Sequence, residues 1–349
     1  LVPLNRPYII GVDGGGTGTR AVIGTQKGEV LAIVEGAGTN MKSKPPDEVR
    51  QQIVQLLEQL LQKVSATKND ISTVFLCVAG GDRQVDKDRW ERWLGFLFPA
   101  STCQITITND AVAALTSGTF TKQGVVVIAG TGSIVYAIAK KLQVSRVGGW
   151  GYLLGDEGSG YYIGQEALRA IAQHYDVFGM NGDVFTATIL NQLSLTNPAD
   201  IITQVYEDPQ PRVLIASLAR TVLGLAEQQN AKAENIIKQA VHHLVQFIQT
   251  MLIKEPQIKN LPIVLCGGLF ENLYFVQCFQ MKLKQASIHN RLIQPEVPPV
   301  IGAFINGLFN EGIQMTEALQ RTIKKTWMSI HENSMGGFDH NGTNDKTDD

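Results

Sequence analysis

The hydrophobic pattern of the chain begins with short, β-branched runs that glycine turns separate. Three such runs within residues 8–35 predict three strands. Apolar positions from Val49 to Val64 then recur with helical spacing and predict a helix after Pro45. Further strands are predicted at 73–78 and 105–108. This alternation of strands and helices predicts an α/β domain.

The same order of elements then repeats. Gly124–Ile138 again reads as a strand, a Gly/Thr loop and a strand, and it starts about 115 residues after the first unit. A third strand near 142–147, several helices over about 159–255 and a late strand ending at Cys266 follow. The repeat predicts two duplicated α/β domains with a ligand cleft between them.

We place the first domain at 7–117 and the second at 118–330. The remaining residues, 331–349, are polar and rich in Gly, Asn and Asp, which predicts a disordered tail.

Composition narrows the class of protein. The 349 residues are 44% hydrophobic and 18% charged, and a net charge of -2 gives no basic footprint for nucleic acid. No apolar run reaches the length of a membrane span, and the first seven residues lack the order of a signal peptide. The four cysteines are scattered without a Cys-x-x-Cys pair, which predicts free thiols and a cytoplasmic location.

The loop after the first strand is the clearest chemical signal. Asp13, the three consecutive glycines 14–16 and the threonines Thr17 and Thr19 lie between two apolar runs. Glycine amides and threonine hydroxyls can hold phosphate oxygens. Asp13 suits Mg²⁺, which proteins hold through one or two carboxylates together with phosphate and water. A purely structural glycine turn is the alternative.

Two other phosphate motifs do not fit this loop. The Gly-x-x-x-x-Gly-Lys-Ser/Thr motif is absent from the sequence. Residues 16–21 match a dinucleotide-binding pattern, and Glu35 stands roughly where an acidic ribose ligand would be. That pattern must open a helix, however, whereas the residues after it predict a strand. We therefore expect a hairpin loop and no nicotinamide site.

Asp110 lies at the end of a predicted strand and just before a predicted helix. From the residues alone it is either the N-cap of that helix or an ionised carboxylate that the helix dipole favours. A carboxylate in this position can act as a general base.

Five segments, taken in order, resemble the actin/hexokinase/heat-shock-chaperone superfamily. More closely, they look like the N-acetylglucosamine kinase family within the BadF/BadG-type ATPases. The resemblance covers about residues 8–315, and the segments are Gly11–Arg20, Asn109–Asp110, Ala129–Ser133, Gly148–Gly160 and Leu265–Phe270. It implies an α/β fold of two duplicated actin/ribonuclease-H-like domains with a central cleft between them.

The resemblance also implies roles for single residues. Asp13 would organise Mg²⁺, and Asp110 would be the catalytic base. ATP would be held by two phosphate loops and an adenosine turn, which comprise Gly14, Gly15, Gly16, Thr17, Thr19, Gly130, Thr131, Gly132, Gly267 and Gly268.

The sugar-binding residues implied by the resemblance are Asn40, Asp110, Ser133, Gly149, Trp150 and Asp156. Each of three has a structural alternative, namely a turn for Asn40, a helix-start acid for Asp156 and a core indole for Trp150. Asp82 matches the family too, although a turn explains it equally well.

The function implied is ATP-dependent transfer of the γ-phosphate to the 6-hydroxyl of N-acetylglucosamine. One alternative acceptor is N-acetylmuramic acid, and Lys42 or Lys44 would then bind its lactyl carboxylate. Glucosamine is another alternative. An ATPase activator of a radical dehydratase is an alternative of a different class, but the cysteines are not placed for its iron–sulfur cluster. The expected partner is a small amino sugar. Neither nucleic acid nor a membrane is expected as a partner, and the sequence leaves open whether the protein forms a homodimer.

Overall fold

The computed structural model describes residues 7–15, 18–39, 41, 44–79, 81, 83–99, 101–139 and 144–335. These residues fall into two compact units. The first unit combines Leu1–Lys122 with Pro295–Asp349, and the second is Gln123–Gln294.

The bounds of the elements agree closely with the sequence pattern. The strands are β1 (Tyr8–Gly14), β2 (Gly18–Thr25), β3 (Val30–Ala37), β4 (Ile71–Val78), β5 (Gln104–Asn109), β6 (Gly124–Ala129), β7 (Ser133–Ile138), β8 (Val144–Gly148), β9 (Ile263–Cys266) and β10 (Leu292–Ile293). The α-helices are α1 (Pro46–Lys63), α2 (Gln84–Leu97), α3 (Asp110–Thr119), α4 (Gly160–Phe178), α5 (Val184–Gln192), α6 (Ile201–Tyr206), α7 (Pro211–Glu227), α8 (Ala231–Lys254), α9 (Leu273–Gln285), α10 (Pro299–Asn310) and α11 (Glu317–Met335).

The first unit is built on one mixed sheet with the order β3-β2-β1-β4-β5. Strands β1, β2 and β3 form an antiparallel meander, and β4 and β5 run parallel to β1. Side chains alternate between the two faces of a strand. Ile10 and Val12 therefore pack with α1 and α2, whereas Ile9 packs on the other face with α10 and α11.

The C-terminal helices belong to the first unit. The domain boundaries predicted from the sequence, with a second domain at 118–330, had assigned them to the second. Helix α10 is buried along most of its length, and it packs against β1, β4 and α3. Helix α11 lies along the edge strand β3, and the amide of Val30 donates to Thr326 Oγ1 over 3.0 Å. Because α11 ends at Met335, residues 331–335 of the predicted tail are helical, and residues 336–349 lie outside the described part.

The second unit repeats the topology of the first. Its sheet has the order β10-β9-β6-β7-β8, in which β6, β7 and β8 form the antiparallel meander and β9 and β10 run parallel to β6. One apolar core joins this sheet to α4, α7, α8 and α9. The shared strand order confirms the predicted duplication.

Replacement of Phe304 on α10 by alanine tests the place of this helix in the first unit. Phe304 is fully buried, so the Phe304→Ala variant should lower the free energy of unfolding by about 3–5 kcal/mol in chemical denaturation. The matched control is Phe96→Ala on α2, where the ring is 77% exposed and the loss should stay below about 1 kcal/mol. Equal losses in the two variants would show that α10 is not a core helix.

Candidate functional site

Strand register brings two acids to one edge of the first sheet. Strands β1, β4 and β5 are parallel, so their carboxyl ends meet there. Asp13 pairs with Cys77 on β4, and the next residue of β4, Val78, pairs with Asn109, the last residue of β5. Asp110 follows directly. The predicted metal ligand and the predicted base therefore share this edge.

The cap of α3 is Asn109, and Asp110 is the first residue of the helix. The Asn109 side chain accepts a hydrogen bond from the amide of Ala111 over 2.9 Å. The side chain of Asn109 thus caps the first turn of the helix. Asp110 is therefore not the N-cap, which was one of its two interpretations from the sequence. The helix N-terminus stabilises a negative charge in its first turn.

The electrostatics of this edge are unfavourable for two anions. Burial, and then the charge of Asp110, raises the pKa of Asp13 to about 7, and Arg20 opposes this shift. Arg20 also forms an ion pair with Glu35, in which Arg20 Nε lies 2.9 Å from Glu35 Oε1. Burial, together with the two carboxylates, raises the pKa of the Cys77 thiol well above its usual range. The edge is therefore short of positive charge.

A divalent cation would add positive charge at the sheet edge that carries Asp13 and Asp110. Within the part of the chain that the structure describes, no group of three or more His, Cys, Asp or Glu side chains is gathered for a metal. Mg²⁺ does not need such a cage, because it is commonly held by one or two carboxylates with phosphate and water. Asp13 and Asp110 supply two carboxylates of this kind.

The first glycine loop is a hairpin between two strands. The Gly15 amide donates to the Gly18 carbonyl over 2.9 Å, and β2 begins at Gly18. Thr19 and Thr39 are buried, and their hydroxyl oxygens lie 2.9 Å apart. The loop leads into strand β2 and not into a helix, as the sequence predicts.

Several predicted residues of this region lie outside the described part of the chain. They are Gly16, Thr17, Asn40, Lys42 and Asp82.

The second glycine loop is a turn that rests on the start of α4. The Gly130 amide donates to the Gly132 carbonyl over 2.9 Å. The amides of Gly160 and Tyr161 donate to the carbonyls of Gly130 and Thr131, over 2.7 and 3.3 Å. Residues 130–133 are thus fixed by the backbone of a long helix.

A cavity of about 770 Å³ opens beside this turn. Gly130 and Thr131 line it together with Gly268, so the structure brings the predicted second phosphate loop and the predicted adenosine turn to one pocket. The remaining wall comes mainly from α7 and from the region around α9, and includes Gln192, Ser217, Arg220, Thr221, Glu271 and Asn272. A pocket of this size suits a nucleotide.

Gly267 lets two strand ends approach closely at the cavity. Its φ of +97° lies in the left-handed region, and a Cβ there would lie 2.4 Å from the Ala129 carbonyl oxygen. A side chain at this position would displace the end of β6, which leads into the Gly130–Ser133 turn. Gly267 thus shapes the wall, and Gly268 lines it.

Three of the predicted sugar-binding residues lie together. The Ser133 amide donates to Asp156 Oδ1 over 3.3 Å, and the Ser133 carbonyl accepts from the Gly149 amide over 3.2 Å. The Ser133 hydroxyl donates to the Glu157 carbonyl over 2.7 Å. The second glycine turn and the 149–157 segment are therefore one hydrogen-bonded group.

Trp150 is exposed, so it is not the core indole of the structural alternative. Two-thirds of its surface, 66%, is accessible. The guanidinium of Arg146 lies 4.8 Å from the centre of the indole ring, and Arg146 Nη1 donates to the Gly149 carbonyl over 3.1 Å. The exposed ring is held in place by this cation.

Two arginines at the site were not predicted from the sequence. Arg146 stacks on Trp150, and Arg212 forms an ion pair of 3.0 Å with Asp156. Neither stands in a motif. The one available signal was that Arg212 is the second residue of a helix, where the dipole disfavours a cation unless an acid lies nearby.

Other expectations concern the chain as a whole. Cys77, Cys103, Cys266 and Cys278 are not joined by disulfide bonds, in agreement with the prediction. Over the described ranges, the helices all fall short of the length and apolarity that a membrane crossing needs.

Duplicated sheets, paired glycine turns and an acidic strand edge define a nucleotide-phosphate-binding protein of the actin-like class. The chain belongs to the BadF/BadG/BcrA/BcrD ATPase family, whose model matches residues 10–307.

Similar proteins carry more specific descriptions. The chain is 32% identical over 273 residues to the N-acetylmuramic acid/N-acetylglucosamine kinase of Clostridium acetobutylicum, covering 77% of this chain and 87% of the relative. It is 32% identical over 280 residues to the N-acetyl-D-glucosamine kinase of Dictyostelium discoideum, with the same coverage. A solved structure from Chromobacterium violaceum, provisionally assigned as an N-acetylglucosamine kinase, has a TM-score of 0.65 at 25% identity and covers 86% of this chain and 99% of its own.

The raised pKa of Asp13 predicts how the stability of the ligand-free protein changes with pH. An unfolded aspartate ionises near pH 4, whereas Asp13 in the fold holds its proton to about pH 7. Stability from this group is therefore full below about pH 4 and is lost as the pH rises through 7. Between pH 5 and pH 8 the wild type should lose about 2–3 kcal/mol more than the Asp13→Asn variant.

Urea denaturation of both proteins at the two pH values, without Mg²⁺ or nucleotide, measures this difference. Parallel pH profiles would show that Asp13 ionises normally in the fold.

Proposed function

We propose that the protein is an ATP-dependent amino-sugar kinase that phosphorylates the 6-hydroxyl of N-acetylglucosamine. The observation that carries this proposal is the placement of Asp110 beside Asp13 at one sheet edge, with the helix cap supplied by Asn109. The two relatives at 32% identity are both described as kinases of N-acetylated amino sugars, which supports the same acceptor class here.

Asp110 is the proposed general base. As the sugar hydroxyl attacks the γ-phosphorus, its proton passes to the Asp110 carboxylate, and the bond from the γ-phosphorus to the bridging oxygen of ADP breaks. The N-terminus of α3 stabilises the ionised carboxylate before the transfer. Because phosphoryl transfer depends on positioning and charge neutralisation, the fixed place of Asp110 is as important as its basicity.

Asp13 is the proposed carboxylate for Mg²⁺, with Asp110 beside it. When bound, the cation would neutralise charge on the phosphates of ATP. It would also relieve the repulsion between the two acids, which is part of what raises the pKa of Asp13.

The cavity beside α7 is the proposed nucleotide pocket. Gly130, Thr131 and Gly268 line it, and the turn at 130–132 offers backbone to the phosphates. Gly14, Gly15 and Thr19, with Gly16 and Thr17, are the proposed second set of phosphate contacts.

Asp156, Ser133 and Gly149 are the proposed sugar contacts of the second unit, together with Trp150 and with Asn40 of the first. N-acetylglucosamine is the preferred acceptor, because the descriptions of both relatives name it. Of the two lysines considered for the lactyl carboxylate of N-acetylmuramic acid, Lys44 pairs with Glu48 at 3.2 Å, and Lys42 lies outside the described residues. N-acetylmuramic acid and glucosamine stay as alternative acceptors. The iron–sulfur activator is disfavoured, because Cys77, Cys103 and Cys278 are buried.

A coupled ADP-release assay across amino sugars tests the proposal. Purified protein with Mg-ATP should release ADP when N-acetylglucosamine is present, and more slowly with N-acetylmuramic acid or glucosamine. Mass spectrometry should find the new phosphate on the 6-oxygen. ADP release that is independent of any sugar would overturn the kinase assignment and favour the activator.

The Asp110→Asn variant tests the base. It keeps the shape of the side chain but cannot accept the proton, so kcat should fall at least about a hundredfold while both substrates still bind. The matched control is Asp47→Asn, an exposed acid in the first turn of α1, which should keep the wild-type rate. Near-normal turnover of Asp110→Asn would remove Asp110 from the role of base.

A further inference from the structure

Arg212 makes a contact that the proposed catalytic scheme does not use. It is the second residue of α7, and its Nη2 lies 3.0 Å from Asp156 Oδ2. The Asp156 side chain is only 4% exposed, whereas that of Arg212 is 40% exposed. A cation in the first turn opposes the helix dipole, so its position is stabilised by the acid that it faces.

Asp156 is held from two sides in an unusual backbone conformation. Arg212 donates to Oδ2, and the Ser133 amide donates to Oδ1 over 3.3 Å. The φ of Asp156 is +66°, in the left-handed region that residues with a Cβ seldom adopt. Surrounding contacts therefore determine where this carboxylate points.

The ion pair packs directly against the second glycine turn. A Cβ on Gly132 would lie 2.8 Å from Arg212 Nη2 and 2.9 Å from Asp156 Oδ2. A side chain at position 132 would therefore have to displace the ends of these two charged side chains. A shift of the turn would accordingly move the ion pair.

Arg212 also reaches the segment that precedes Asp156. Its guanidinium carbon lies 5.6 Å from the centre of the Tyr152 ring. Its Nε is buried and has no hydrogen-bond partner among the residues that the structure describes. The side chain is thus held between Tyr152, Asp156 and the Gly132 turn, and it starts from α7.

Helix α7 and the 130–133 turn are the two elements that hold Asp156, and both line the 770 Å³ cavity. A nucleotide that fills the cavity touches the same two elements. Ordering of these elements by the nucleotide would therefore fix the Asp156 carboxylate as well.

We infer that Arg212 is a positioning residue that fixes Asp156 for the sugar and couples sugar binding to nucleotide binding. The inference rests on the proposed kinase function, in which Asp156 contacts the sugar. Arg212 itself touches neither substrate in this scheme and acts through Asp156.

Steady-state kinetics of Arg212→Gln is the first test. Loss of the cation frees the Asp156 carboxylate to turn away, so KM for N-acetylglucosamine should rise at least about tenfold while KM for ATP changes less than about threefold. Arg212→Lys keeps the charge and should recover part of the loss. The matched control is Arg169→Gln, which removes an exposed arginine paired with Glu166 on α4 and should leave both KM values unchanged.

A double-mutant cycle with Asp156→Asn separates action through Asp156 from direct action on ATP. Asparagine keeps the shape of Asp156 and tolerates its positive φ. In the Asp156→Asn background, Arg212→Gln should raise the sugar KM by less than about twofold. Additive losses, or a loss confined to the ATP KM, would overturn the inference and make Arg212 a nucleotide ligand.

Calorimetry measures the coupling directly. N-acetylglucosamine should bind the wild type at least about fivefold more tightly with AMPPNP than without it, and this ratio should fall below about twofold in Arg212→Gln. The coupling would be refuted if Arg212→Gln showed the same affinity ratio as the wild type, or if AMPPNP left the sugar affinity of the wild type unchanged. Failure of the wild type to phosphorylate any amino sugar would instead refute the proposed function.

A thermal melt of each protein guards against misfolding. Should Arg212→Gln not fold, Arg212→Met takes its place in the KM and coupling comparisons, because methionine also removes the cation while it keeps most of the length of the side chain. Wild-type sugar KM and wild-type coupling in a folded Arg212→Met would overturn the inference.

Discussion

The burial of Asp13 beside a second acid, Asp110, is the constraint on which the candidate site of the first unit depends. Two acids are placed at one sheet edge by the register of three parallel strands, and burial raises the pKa of Asp13 to about 7. The fold keeps both side chains there in spite of that unfavourable electrostatics. A cation beside the two carboxylates would favour their ionised forms.

The second unit uses the same strand order for a different purpose. Its first strand also ends in a glycine turn, but the acid beside that turn, Asp156, is balanced by Arg212. The acids of the two copies thus differ: burial and Asp110 raise the pKa of Asp13, whereas Asp156 forms an ion pair with Arg212. The second unit also carries the 770 Å³ cavity, which Gly130, Thr131 and Gly268 line together with charged side chains such as Arg220 and Glu271. The duplication thus provides the same scaffold twice, and the two copies differ in the side chains at their strand ends.

Strand and turn positions were predictable because they depend on local sequence. The runs around Asp13 and Gly130 carry both their secondary structure and their chemistry within a few residues. The C-terminal helices were misplaced in the domain boundaries because only long-range packing on β1 decides where α10 belongs. Arg212 was missed for a related reason, since its partner lies 56 positions away and no motif joins them. The choice between Asn109 and Asp110 as the cap needed the backbone itself.

The order of synthesis follows from the split sequence of the first unit. Helix α10, which covers the Ile9 face of the first sheet, is translated only after the whole of residues 123–294. At about 5–20 residues per second, this is a delay of roughly 10–30 s. During that interval all five strands of the first sheet have been made, while the face that α10 covers is still without its helix. The nascent chain therefore exposes one apolar sheet face throughout the synthesis of the second unit.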